Sequence, residues 1–192
     1  MEKTAVQKLA GALKILVIIT FVCNLIALLL VPGLVMFRHA YPMLLDLEWS
    51  AGDAAGVAFF LPIGFAAAWG SVWGDGAYSV VLTLFLLFCG VCTAVVLWQA
   101  RRVLDTVLEG LPFQEKNSKS LRCAAACSFL ISAAALVRLI WGLAYYRTIE
   151  PLLSYNALFV PVFFMAGLLC LVMSALFRQA AALKAEDDLT IL

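Results

Sequence analysis

RRVLDTVLEGLPFQEKNSKSLR, residues 101–122, separates two apolar runs that are each long enough to cross a bilayer, and it carries five of the chain's thirteen Lys and Arg residues. Basic residues concentrate in the cytoplasmic segments that flank membrane spans. This stretch therefore sets how the rest of the chain is threaded. Its letters also carry a local pattern. Val103, Leu104, Val107 and Leu108 form an apolar stripe at helical spacing, so the preceding span is expected to continue for a turn or two past the membrane. Gly110 and Pro112 are then expected to stop it, and Asn117 or Ser118 to cap the next helix.

Composition places those runs in lipid. The chain has 192 residues, 65% of them apolar and only 13% charged, against roughly one half and one quarter in a soluble domain. Residues 13–37, 77–100, 123–146 and 154–177 each meet the requirement of about 20 mostly apolar residues for a spanning helix. The apolar stretch 54–69 is shorter and is interrupted by Pro62 and Gly64, so it reads as re-entrant or interfacial. A fifth crossing there would put Arg101 to Arg122 on the side opposite the basic N-terminus. With four spans, only Arg38 and Arg147 lie outside.

The expected fold is an all-α, four-transmembrane-helix bundle forming one membrane domain. Both termini are cytoplasmic, with a large outer segment at 38–76, a cytoplasmic loop at 101–122 and a cytoplasmic tail at 178–192. The first span follows a basic start but is too long for a signal-peptide core, so it reads as retained. Trp49, Trp69 and Trp73 fall where an interfacial aromatic belt is expected.

Chemistry is sparse. Cys89-Gly-Val-Cys92 has the spacing of a thiol-redox pair, and Cys123 and Cys127 share a helix face. All six cysteines lie in spans or at their edges, where an uncharged thiol behaves as a small hydrophobe. One histidine, His39, with no companion ligands, makes neither a haem nor a hydrolytic metal site. No nucleophile–base set or phosphate loop is present, so neither an enzyme nor a cofactor is expected. A net charge of +1 gives no reason for direct nucleic-acid binding.

Two polar residues stand out inside spans. An arginine at Arg138 costs about 2.5–3.5 kcal/mol even on the lenient insertion scale. It is expected to snorkel outward or to pair with Asp46, Glu48, Asp53 or Glu150 and line a pocket. Asn24 reads as interhelical glue, or as a second member of such a pocket. A pocket of this kind would suit small-molecule or peptide transport, or an immunity protein. A thiol-redox membrane protein is the weaker alternative.

The segment Gly110-x-Pro112-Phe113-x-x-x-Asn117, with Leu121-Arg122 opening the next span, resembles the signature of a bacterial four-span family catalogued as a domain of unknown function. So does the end of the chain, where Arg178 after the last span is followed by Asp187-Asp188-Leu189-Thr190-Ile191. The resemblance implies four helices, no established activity, and genes that often lie beside a small helix-turn-helix regulator. On that basis the protein is expected in the bacterial cytoplasmic membrane as a sensory or regulatory component. Gly110, Pro112, Phe113, Asn117, Arg122, Arg178, Asp188, Leu189 and Thr190 would form the face that meets a soluble partner. A homo-oligomer is compatible with the same surfaces. The competing expectation for that face is a lid, with Leu189 and Ile191 packed on Phe113.

Overall fold

A computed structural model describes residues 5–45, 65–67, 69–74, 76–110 and 113–190. Its long elements are α1 (Ala5–Leu45), α2 (Ala77–Leu108), α3 (Glu115–Tyr146) and α4 (Tyr155–Thr190), with a short 3-10 turn at Glu150–Leu153 before α4. Among the described residues, four stretches are long and apolar enough to cross a membrane: Gln7–Val35, Ala77–Leu108, Glu115–Tyr146 and Tyr155–Lys184. The protein is a multi-pass helical membrane protein, as its hydropathy requires. In lipid a backbone must satisfy its own polar groups, and a helix does so without help.

The helices outrun the apolar runs that announce them. At about 1.5 Å per residue, the 32 residues of α2 and of α3 extend roughly 48 Å each, against a hydrocarbon core of about 30 Å. The expected long loop at 101–122 shrinks to a corner at 109–114. Gly110 ends α2 in the left-handed conformation, φ +77, with its N–H on the Val107 carbonyl. The start of α3 differs from expectation. Gln114 is the N-cap and makes no side-chain capping bond, while Asn117 and Ser118 lie inside the helix and are buried. Both residues have more to gain from interhelical partners than from a helix end already exposed to water.

The chain forms two compact units, Met1–Leu25 with Cys89–Leu192, and Ile26–Phe88. In the first, paired contacts show neighbouring helices running antiparallel. Lys14 meets Asp105 at 2.7 Å and Phe21 faces Trp98 between α1 and α2. Gln99 reaches Cys123 between α2 and α3. Ser118 meets Ser174, and Ser132 the Val160 carbonyl, between α3 and α4. The hub is α3, a third of whose span is buried against 11–17% of the others. Ala124, Ala125, Ser128, Ser132, Ala135 and Gly142 make its buried face small, which lets backbones approach closely where hydrophobicity gives no drive to associate. Opposite, a Cβ on Gly167 of α4 would come within 2.8 Å of the Phe129 ring.

Arg147 closes α3 in the left-handed conformation, φ 51, with its N–H on the Leu143 carbonyl. Ser154 then turns the chain into α4, its hydroxyl donating to the Pro151 carbonyl at 2.6 Å. Pro161 lies within α4 and cannot donate to the carbonyl one turn back. The outer segment's 46–64, including Asp46, Glu48, Asp53 and most of the stretch 54–69, lies outside the described residues, as does the side chain of His39.

Candidate functional site

The α2–α3 corner is where the sequence placed a partner-facing surface, and the structure divides its residues into two groups. One group is internal. Asn117 is 1% exposed, and its Nδ2 donates to Thr106 Oγ1 at 2.6 Å, while that hydroxyl donates to the Val103 carbonyl at 2.7 Å. One residue on, the hydroxyls of Ser118 and Ser174 lie 3.0 Å apart, and Ser174 Oγ donates to the Ser118 carbonyl at 2.8 Å. These bonds tie α2 to α3 and α3 to α4 at a single level. Asn117 therefore belongs to a clamp, and its removal from the presented face corrects the sequence reading. Buried amides need partners, and the threonine two residues from the end of α2 supplies one.

The second group is outward-facing. Phe113 is 51% exposed, with its ring 6.0 Å from that of Phe177 at the base of the tail. Arg122 and Arg178 are exposed, as are Arg101, Arg102, Lys116, Lys119 and Lys184. Lys119 pairs with Glu115 at 3.0 Å, and Arg101 lies over the Trp98 ring at 5.4 Å. Gly110 supplies the turn, approached by Gln7 near the start of α1. Pro112, Ile191 and the side chains of Asp188, Leu189 and Thr190 lie outside the described residues.

The tail does not turn back. Helix α4 continues to Thr190, and the 13 residues beyond Phe177 carry it roughly 20 Å past the corner that Phe177 touches. Leu189 is thus about 18 Å along the helix from Phe177, and a lid formed by Leu189 on Phe113 is ruled out by length alone. No turn forms at Glu186-Asp187-Asp188, because nothing in 178–190 breaks a helix. Gln179, Ala182, Leu183, Lys184 and Glu186 on this projection are exposed, Leu183 at 65%.

Arg138 and Asn24 do not form one pocket. Arg138 Nη1 donates to the side-chain amide oxygen of Asn156 at 2.7 Å, and Glu150, an expected partner, is exposed. The Phe21–Trp98 and Gln99–Cys123 pairs set Asn24 level with about Cys127, which puts Arg138 roughly 15 Å farther along α3. Asn24 Oδ1 is buried and makes no hydrogen bond.

The cysteines meet in a way their spacing concealed. Cys92 of α2 lies beside Cys127 of α3, Cys123 is next to Cys127 on the same helix, all as free thiols, and Gln99 Nε2 lies 3.7 Å from Cys123 Sγ. Cys92 is 6% exposed. Among the described residues no group of three or more His, Cys, Asp or Glu side chains is arranged to hold a metal ion.

No curated protein and no solved structure matches the chain. A family model does match it, over residues 39–191, and that range takes in the corner, its clamp and the projecting tail. The chain belongs to this family, DUF2975, described as proteins of unknown function.

Proposed function

We propose that the protein is a non-catalytic regulatory component of the bacterial cytoplasmic membrane that holds a soluble partner on the face made by the α2–α3 corner and the end of α4. The observation that carries this reading is the projection of α4 about 20 Å beyond the corner. The extension is continuous with the spanning helix, so it holds its side chains at fixed positions to meet a docked partner. The exposed Phe113 and Leu183 supply apolar contact beside Arg122, Arg178 and Lys184. The cations at the corner end also support a cytoplasmic placement of both termini. The family resemblance names the partner class, a small helix-turn-helix regulator.

The serine and asparagine clamp gives such a protein a means of transmission. A rotation of α3 is passed to α2 through Asn117 and to the root of α4 through Ser118 and Ser174. Co-purification from native membranes tests the proposal. A DNA-binding protein is expected with the full chain and is lost with Phe113→Ala or on removal of residues 187–192. Recovery of the intact chain without such a protein would refute it.

A further inference from the structure

The thiols of α2 and α3 form a cluster that the corner does not use. Cys92 stands beside Cys127 on the neighbouring helix, and Cys123 lies one turn from Cys127. The Gln99–Cys123 and Asn117–Thr106 bonds give one antiparallel register of α2 on α3. In that register Cys92 and Cys127 differ in height by only about 5 Å, so the placement of the helices brings the two thiols together. Cys92 is enclosed by the bundle.

Two amide oxygens near the same level have no donor. Asn24 Oδ1 of α1 and Gln99 Oε1 of α2 are buried and accept no hydrogen bond. Asn24 stands level with Cys127, and Gln99 with Cys123, whose sulfur takes the Gln99 Nε2 donor. These residues all belong to the compact unit of Met1–Leu25 with Cys89–Leu192. A buried oxygen without a donor is costly, and two of them beside a group of sulfurs give this layer of the bundle a surplus of electron-pair donors. Such a surplus suits a cation.

The donor set narrows which cation. Thiols are soft ligands that select Cu(I), zinc and iron–sulfur centres. Structural zinc and iron–sulfur clusters take four protein ligands, and among the described residues no group of three or more His, Cys, Asp or Glu side chains is arranged for a metal. Two sulfurs on facing helices suffice for a soft monovalent ion of filled d shell, which bonds linearly. We propose that Cys92 and Cys127 bind one ion of this class, Cu(I), between α2 and α3, in a layer made electron-rich by the unpaired oxygens of Asn24 and Gln99. One proton leaves as the ion enters. The S–H bond of one thiol breaks and its sulfur bonds the metal, the other sulfur donates a lone pair as a neutral thiol, and the proton passes to water. The net charge of the site is unchanged, as a position inside a membrane span favours.

The test titrates the full chain, in phosphatidylcholine nanodiscs under anaerobic reducing conditions, with Cu(I) against the coloured chelator bicinchoninate. One Cu(I) per chain is expected to be withheld from the chelator. Cys92→Ser and Cys127→Ser should each weaken retention at least about tenfold, because a hydroxyl is a poor ligand for a soft ion. Joint replacement Cys23→Ser and Cys170→Ser, which removes an exposed thiol and one on α4, should leave retention unchanged. Affinity should rise about tenfold per pH unit, the mark of one proton released per ion. Circular dichroism identifies any variant that fails to fold, and copper X-ray absorption reads the unsubstituted site, where two sulfur neighbours are expected. Full retention by folded Cys92→Ser and Cys127→Ser proteins would overturn the proposal, as would loss with the Cys23 and Cys170 pair, a copper shell without two sulfurs, or an affinity independent of pH. None of these readings involves a soluble partner, so this proposal and partner capture at the corner fail separately.

Discussion

Replacing Asn117 by Ala should destabilise the isolated protein even with no partner present. Its amide is 1% exposed and donates to Thr106 Oγ1 at 2.6 Å. A neutral buried hydrogen bond contributes about 0.5–1.5 kcal/mol net, and pairs between membrane helices average about 0.6 with a maximum near 1.7 kcal/mol. Truncation also removes packed atoms from a closed site, so the expected loss for Asn117→Ala is about 2 kcal/mol in total. Thr106→Val keeps the shape of the side chain but removes the acceptor, along with its own bond to the Val103 carbonyl. The clean quantity is the double-mutant coupling between the two positions, expected at about 1 kcal/mol. Unfolding in mixed lipid–SDS micelles, followed by circular dichroism, measures all four proteins of the cycle. Coupling below about 0.3 kcal/mol, within the range of independent sites, would refute the clamp. So would a fully stable Asn117→Ala protein that has lost only its partner, because Asn117 would then be a contact residue.

Ser174→Ala removes both bonds between Ser118 and Ser174, leaving Ser132 on the Val160 carbonyl, and should cost about 1–2 kcal/mol in the same unfolding assay. Gly167→Ala drives a Cβ to within 2.8 Å of Phe129 and should cost about 1–3 kcal/mol, with Phe129→Leu restoring most of the loss. Gly110→Ala forces a side chain into φ +77 and should cost about 1 kcal/mol, visible as a lowered unfolding midpoint. By contrast, Asp105→Asn should change stability by less than about 1 kcal/mol, and less again at high salt, because both side chains of the Lys14–Asp105 pair are about a third exposed.

Four spans, their order and the weight of the 101–122 stretch were legible because each rests on a sum over local residues. Hydropathy over about 20 positions identifies a span whatever its neighbours are. Helix ends were less legible. The apolar run stops at the edge of the lipid, but a helix continues until a residue such as Gly110 or Arg147 turns it. The motif around Asn117 stood out as a pattern, yet its role was misread. Polar letters next to a loop suggest exposure, and only the position of Thr106 one helix away makes burial favourable. Nothing in the order of residues announced Asn156 as a partner of Arg138.

The chain's partition into lipid follows from composition and periodicity, since the transfer of a helix depends on its own surface. Which faces then meet depends on the rotation and height of each helix against the next. Those are set by small contacts such as Ser118 on Ser174 and Phe129 on Gly167, with little hydrophobic preference in lipid to foretell them. That relative placement turned Asn117 inward, set Cys92 beside Cys127, and left the end of α4 standing beyond the corner.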